Sequence, residues 1–198
     1  MFENPLYRNR AYRNDHHNQN QHRYYYEIAI HHFASALLEG QIFRAKNRVL
    51  RRPWRLYDLH SIKSCIALQG ISYSGIQGVD IHKIIGTEGR AADFDLDFHP
   101  MEEESRERWV NMTLAYLLGI PLPPVELIRV GDVYFVRDGH HRVSVALALG
   151  QKAIDAEVIT WRVAPVLAAE EINASCPNTG STDRLTCIPY RQSTACAS

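Results

Sequence analysis

Residues 124–161 read PVELIRVGDVYFVRDGHHRVSVALALGQKAIDAEVITW, and they contain the clearest strand, turn and helix signals of the chain. Strand-forming apolar residues flank Gly131-Asp132, which predicts two antiparallel strands joined by a tight turn. The apolar spacing over 141–149, closed by a glycine, predicts a short helix. A third strand is expected over 154–160. We therefore predict an α+β fold, in which helices pack on a small mixed sheet behind a helical N-terminal segment.

Charged and titratable residues are concentrated at Asp138-Gly139-His140-His141-Arg142, where a strand is predicted to end and a helix to begin. Gly139 permits a sharp bend, and the N–H groups of the first helical turn favour an anion. Arg142 adds a guanidinium fork suited to phosphate, while His140 and His141 are suited to hydrogen bonding or proton transfer. The alternative is structural: Asp138 caps the helix, one histidine packs and Arg142 pairs with an acid. We predict a phosphate pocket and no zinc site, because no third ligand accompanies the adjacent histidines.

The order of strand, Gly-Asp turn, YFVRDGHHRVSVALALG and closing strand resembles the ParB/sulfiredoxin superfamily, in the branch that carries DGHHR. The resemblance covers roughly residues 79–161, within a domain that we assign to 76–165. It implies binding of a nucleotide (ATP, ADP or CTP), with Mg²⁺ as a second candidate cofactor, and either phosphoryl transfer or nucleotide hydrolysis. The motif has His140 where sulfiredoxins have cysteine, so their thiol chemistry is not expected.

The same resemblance implies roles for individual residues. Similarity to the free-serine kinases of this superfamily implies that Glu88 is the catalytic base. Arg90, in the same glycine-flanked turn, is a second candidate phosphate ligand. Phosphate contacts are expected from Gly139, His140, His141 and Arg142, the two histidines also being catalytic candidates. Asp138 is expected to orient the motif or to ligate Mg²⁺.

Upstream, we predict a mobile polar arm over residues 1–24 and a helical basic segment over residues 25–75, with Gly40 interrupting the helix. Six cations stand close together: Arg44, Lys46, Arg48, Arg51, Arg52 and Arg55. They form either a surface for DNA or RNA phosphates, with Trp54 and Tyr57 available for stacking, or a solvated helix face. The first reading gives the alternative function, a DNA-binding ParB-like module of partition or nuclease-like type. No helix-turn-helix is apparent after the nucleotide domain, and a partner-binding domain without turnover is a third possibility.

Charge is balanced overall but unevenly placed. Lys plus Arg is 22 and Asp plus Glu is 22, which excludes a uniformly basic nucleic-acid coat. Residues 1–60 hold ten basic against five acidic residues, whereas residues 86–110 hold three against eight, so the two segments are expected to attract. Asp93, Asp95 and Asp97 alternate with apolar residues, which indicates either a divalent-cation site or the polar face of a half-buried edge strand.

Other features of the sequence are less specific. A helix is expected from about Glu102 to Leu118, and residues 166–198 are expected to form a disordered tail. No apolar run reaches the roughly 18 residues needed to span a bilayer, and the N-terminus lacks the apolar stretch of a secretory signal. The four cysteines contain no CxxC pair. We therefore expect a cytoplasmic protein with reduced thiols and no membrane partner; the sequence does not indicate an oligomeric state.

Overall fold

The computed structural model describes residues 5–63 and 66–163, with side chains described from residue 20 onward. The described residues all belong to one compact unit. The predicted tail over 166–198 and all four cysteines lie outside the described residues, so the predictions about them stay untested.

Four helices and six strands make up the described part, which confirms an α+β fold. The helices are α1 (Pro5–Val49), α2 (Leu59–Lys63), α3 (Arg106–Leu117) and α4 (His140–Ala148). The strands are β1 (Tyr57–Asp58), β2 (Leu68–Asp80), β3 (Ile84–Thr87), β4 (Val125–Val130), β5 (Val133–Asp138) and β6 (Ala153–Val163). Short 3₁₀ turns cover Ile81–Lys83 and Glu103–Ser105.

The six strands form one mixed sheet in the order β1-β3-β5-β4-β6-β2. Strand β3 runs parallel to both β1 and β5, and β4 runs parallel to β6. The β4–β5 and β2–β6 pairs are antiparallel. The hairpin, the helix and the closing strand predicted for residues 124–161 are thereby confirmed, with a longer final strand.

Each face of the sheet carries its own hydrophobic core. On one face, α4 packs through Val143 against Leu127, Val136 and Val158. On the other face, Leu59 of α2 packs with strand residues from β4, β5 and β6, namely Ile128, Val130, Phe135 and Trp161. These residues alternate along the strands with those of the first core, because successive side chains of a strand point to opposite faces.

A third core joins the helices. Phe33 of α1 meets Trp109 of α3 edge to face, with ring centroids 5.6 Å apart, and Val145 of α4 joins the same cluster. The Trp109 indole N–H donates to the buried Ser144 hydroxyl at 2.9 Å. Helix α3 is therefore held between α1 and α4.

Helix α1 is longer than predicted. It begins at Pro5, within the segment expected to be an arm, and it continues through Gly40 to Val49. A polar sequence without an apolar period can still be helical, because Arg, Gln and Asn are tolerated along a helix. Gly40 remains in the helix because it allows a close approach: a Cβ there would lie 2.7 Å from both Arg44 Nη1 and His99 Cβ.

The sheet also begins earlier than the predicted boundary at residue 76, since β1 and most of β2 lie before it. Strand β2 is one of the two edge strands of the sheet, and its Ile71, Tyr73 and Ile76 side chains are exposed. A bulge interrupts its pairing between Tyr73 and Ile76, where Gly75 has φ +80°.

The predicted edge strand over Asp93–Asp97 is wrong, and so is the cation site. Asp95 is fully buried, where it accepts a hydrogen bond from Arg44 Nη1 at 3.2 Å and contacts His99 Nδ1 at 3.0 Å. The chain turns here, with Phe98 at φ +58°. Within residues 5–63 and 66–163, no group of three His, Cys, Asp or Glu side chains is placed to hold a metal ion. The buried cation of Arg44 satisfies Asp95 instead.

Candidate functional site

The predicted motif lies where two parallel strands end side by side. Strands β3 and β5 are neighbours, so the segment after Thr87 and the turn after Asp138 meet at one edge of the sheet. The Glu88 backbone N–H donates to the Val136 carbonyl at 2.9 Å. The carboxyl ends of parallel strands are a common position for binding loops.

Gly139 shapes the turn between β5 and α4. Its φ of +94° is in the left-handed region, and a Cβ at this position would lie 2.6 Å from Val125 Cγ1. It is the N-cap residue of α4 and has no side chain with which to cap the helix. The N–H groups of the first turn are consequently left to other partners, as we predicted for an anion site.

His140 is a buried packing residue. Its Nε2 lies 2.6 Å from Thr87 Oγ1, and its ring stacks on Phe94 with an interplanar angle of 15°. Burial, followed by the nearby Arg90 charge, lowers the pKa of His140 to about 4. The Thr87 hydroxyl already accepts the Arg90 backbone N–H at 3.2 Å, which suits donation of its own proton to a neutral imidazole. The geometry gives His140 a structural role that joins the two loops.

His141 lines a cleft instead of the core. Its ring meets Phe94 edge-on at 5.2 Å, and its Nδ1 is the buried side-chain atom without a hydrogen-bond partner in the part of the chain that the structure describes. Burial, then the charges of Arg108 and Arg90, lowers the pKa of His141 to about 4. The imidazole is neutral at pH 7, so it is equipped to hydrogen-bond and not to act as a cation.

The cleft beside His141 has a volume of about 620 Å³ and a strongly charged lining. It is bounded by the β3–α3 connection and by one face of α3. Its walls hold two arginines, four carboxylates and four other residues: Arg90, Arg108, Asp93, Glu102, Glu104, Glu107, Ser105, Asn111, Met112 and His141. Carboxylates outnumber arginines in this lining, so a ligand in the cleft would meet charges of both signs together with hydrogen-bonding groups.

Arg108 and Asn111 were not among the predicted site residues. Both are exposed on α3, and Met112 completes an i, i+3, i+4 set on one face of that helix. This spacing was visible in the sequence. It did not point to a site, because the sequence does not show that α3 packs beside α4.

Arg142 does not face this cleft. Its Nη1 donates to the Pro123 and Pro124 carbonyls at 2.5 and 2.7 Å, and its Nη2 contacts Asp138 Oδ2 at 2.6 Å. Its side chain is only 12% exposed. The geometry therefore does not support the predicted phosphate contact from Arg142. This guanidinium instead fixes the turn by tying it to the segment before β4.

Glu88 and Asp138 are also outside the cleft lining. The Glu88 carboxylate pairs with Arg137 Nε at 3.5 Å, and Arg137 lies 3.9 Å from Glu126 as well. Asp138 is paired with Arg142. Neither carboxylate lines the cleft, so the catalytic base assigned to Glu88 and the Mg²⁺ ligand assigned to Asp138 stay predictions that this cleft does not use.

The structure divides the basic cluster predicted from the sequence. Arg44 is buried against Asp95, so it is not available to nucleic acid. The other five cations are exposed: Lys46, Arg48, Arg51, Arg52 and Arg55.

Comparison with known proteins adds no relative: no family model, curated protein or solved structure matches this chain. In the described ranges, no helix is both long enough and apolar enough to cross a bilayer.

Proposed function

We propose that this chain binds a nucleotide in the cleft beside His141 and transfers or hydrolyses its terminal phosphate. The observation that carries the proposal is the convergence of Arg90, Arg108 and a neutral His141 on one cleft beside a helix that has no side-chain cap. The resemblance of the DGHHR motif to the ParB/sulfiredoxin superfamily supports the same ligand class. The phosphate acceptor in this proposal is water, for hydrolysis, or a second substrate, for transfer.

The phosphates would lie against Arg90 and Arg108. Arg90 pairs only loosely with Asp93, at 3.4 Å, and both side chains are about half exposed, so an incoming phosphate competes with a weak ion pair. Arg108 is exposed on α3. The N–H groups at the start of α4 add a partial positive charge in the same region.

The carboxylates of the cleft set a condition on binding. Asp93, Glu102, Glu104 and Glu107 would repel a bare triphosphate. A divalent cation carried with the phosphates reverses this, because carboxylate oxygens are good Mg²⁺ ligands. The proposal therefore requires Mg²⁺ that arrives on the nucleotide phosphates, with one or two of these carboxylates as additional ligands, because no group of three such side chains among the described residues is placed to hold the ion alone.

His141 would act as a neutral hydrogen-bonding group. A histidine with a pKa near 4 is not protonated at pH 7, so it is poorly suited to donating a proton to a leaving oxygen. Phosphoryl transfer depends mostly on positioning and on neutralising charge, which the two arginines and the metal would supply. In this proposal His141 contributes a hydrogen bond, and the proton-transfer roles predicted for His140 and His141 are not used.

Titration calorimetry with ATP, ADP and CTP, each with and without Mg²⁺, tests the proposal. We expect binding of at least one nucleotide only when Mg²⁺ is present. Arg108→Gln should weaken that binding by about tenfold, which corresponds to roughly 1.4 kcal/mol.

Arg106→Gln is the matched control, because Arg106 is exposed on the same helix but does not line the cleft. An absence of binding heat for all three nucleotides would refute the proposal. Equal weakening by Arg106→Gln and Arg108→Gln would also refute it, because it would show an effect of general charge.

A further inference from the structure

Five exposed cations are concentrated at the C-terminal end of α1 and just beyond it. We call this surface the basic end of α1; it consists of Lys46, Arg48, Arg51, Arg52 and Arg55. None of the five forms an ion pair with an acidic side chain in the ranges 20–63 and 66–163. The acidic segment over 86–110 therefore neutralises Arg44 and leaves these five charges free.

Trp54 organises two of these charges. The Arg48 guanidinium carbon lies 4.9 Å from the centre of the Trp54 ring, and that of Arg55 lies 4.7 Å from it. The Trp54 carbonyl accepts the Leu96 N–H at 2.8 Å, which fixes this segment to the body of the domain. A guanidinium stacked on an aromatic ring keeps its N–H edge free for phosphate oxygens.

Arg51 occupies a position that favours glycine. Its φ is +51°, and the Arg52 N–H donates to the Asn47 carbonyl at 2.9 Å, which closes the end of α1 in a Schellman-type turn. An L-residue with a side chain is strained in this conformation. Arginine here costs stability relative to glycine, and its exposed side chain places a cation at the end of α1.

We propose that the basic end of α1 binds the phosphate backbone of a nucleic acid without sequence preference. This surface is separate from the cleft, and the proposal does not depend on nucleotide binding. A nucleic-acid strand presents a phosphate every few ångströms, which suits several cations held in a short segment. Specific base reading is not expected, because guanidinium groups lie over the Trp54 ring instead of leaving it open to a base.

An anionic membrane is the main competing partner, since Val49 and Leu50 are exposed beside these cations. Membrane-surface segments insert Trp at the lipid–water interface. Trp54 is half-buried and held against two arginines, so it is not available for insertion. The structure therefore favours nucleic acid over lipid.

Fluorescence anisotropy with a labelled 24-bp duplex of random sequence, over a salt series, tests the proposal on the full chain. The logarithm of the association constant should fall with the logarithm of salt concentration with a slope of about −3 to −4.5, close to −0.9 for each phosphate contacted. Arg51→Gln with Arg52→Gln should reduce the magnitude of that slope by about 2. The matched control replaces two cations outside this surface, Arg106→Gln with Lys152→Gln, and should leave the slope unchanged.

Arg51→Gly separates a binding role from a structural one. We expect this variant to unfold at a higher temperature than the parent and yet to bind the duplex several-fold more weakly, with a slope reduced by about 1. Undiminished binding by Arg51→Gly would overturn the proposal, as would an absence of binding at about 50 mM salt. Equal losses in both double variants would overturn it too, and so would association with phosphatidylserine vesicles but not with DNA.

Discussion

Thr87 Oγ1 and His140 Nε2 lie 2.6 Å apart, and both residues are buried. This contact joins the end of β3 to the first turn of α4, two segments that are 53 residues apart in the chain. It therefore fixes the two segments beside the candidate cleft relative to each other, and neither residue lines the cleft.

Thr87→Val tests that contact. The substitution keeps the shape of the side chain but leaves a buried imidazole nitrogen without its partner, which should lower the free energy of unfolding by about 1–3 kcal/mol. Urea denaturation at pH 7 measures the change. Thr160→Val is the matched control, because its hydroxyl pairs with Ser74 in a more exposed position and should cost less than about 1 kcal/mol. Equal losses would contradict a special role for the Thr87–His140 contact.

Stability should depend on pH through His140 and His141. Both have pKa values of about 4 in the folded chain and about 6.5 when unfolded, so the unfolded state binds more protons between these values. The free energy of unfolding should therefore fall as the pH drops from about 6.5 to 4, by up to about 3 kcal/mol from His140. Urea denaturation at a series of pH values measures this slope. His141→Gln should make it shallower; an unchanged slope would contradict the assigned pKa.

His99 should make the free energy of unfolding fall as the pH rises, opposite to the effect of His140 and His141. Burial lowers its pKa, but the hydrogen bond and charge of Asp95 outweigh this and raise the pKa above the ordinary value. Its contribution to stability is therefore complete below pH 6.5 and is lost as the pH rises through the folded pKa. His99→Gln should remove this loss on the alkaline side and leave the acid slope intact. NMR titration of the imidazole would check the direction directly.

Gly40→Ala should destabilise the protein, although alanine is normally better than glycine in a helix by about 1 kcal/mol. The added methyl group would lie 2.7 Å from both Arg44 Nη1 and His99 Cβ and 3.2 Å from Asp95 Oδ2. Disturbing this buried ion pair should cost about 1–3 kcal/mol. Thermal unfolding shows whether the variant unfolds at a lower or a higher temperature than the parent protein. Gly78→Ala, where a Cβ meets open space, serves as the comparison; a stabilised Gly40→Ala variant would refute the close packing.

Arg142→Gln should destabilise the turn before α4 by about 2 kcal/mol, because the Pro123 and Pro124 carbonyls and Asp138 lose their shared donor. Arg137→Gln removes a half-exposed arginine on neighbouring β5 and should cost less than about 1 kcal/mol. Denaturant unfolding of both variants makes the comparison. Full stability in Arg142→Gln would return this side chain to the group of free phosphate ligands.

The sequence predicts the hairpin and α4 well because their signals are local. Gly131 and Gly139 both adopt positive φ where turns were expected, and the continuous apolar run between them is typical of a strand that is covered on both faces. The end of α3 was predicted for the same reason, since Gly119 has φ +68° just after the last helical turn.

Other predictions failed because they depend on partners distant in sequence. Asp95 has the same sequence pattern as Asp93 and Asp97, yet it alone is buried, because Arg44 reaches it from α1. The phosphate contact of Arg142 stays a prediction, but the sequence does not show that this side chain donates to the Pro123 and Pro124 carbonyls. Local patterns give the candidates for a site, whereas packing decides which of them are free.

The bulge in β2 has a consequence for handling this protein. From Leu68 to Val79 this edge strand contains no charged residue. The charges that usually prevent edge-to-edge strand pairing between molecules are therefore missing. The irregular step at Ser74-Gly75 supplies a different safeguard, because it bends the exposed backbone and spoils the template that another molecule would copy. A regular strand without this bulge would expose a continuous edge at which another molecule could pair and start aggregation.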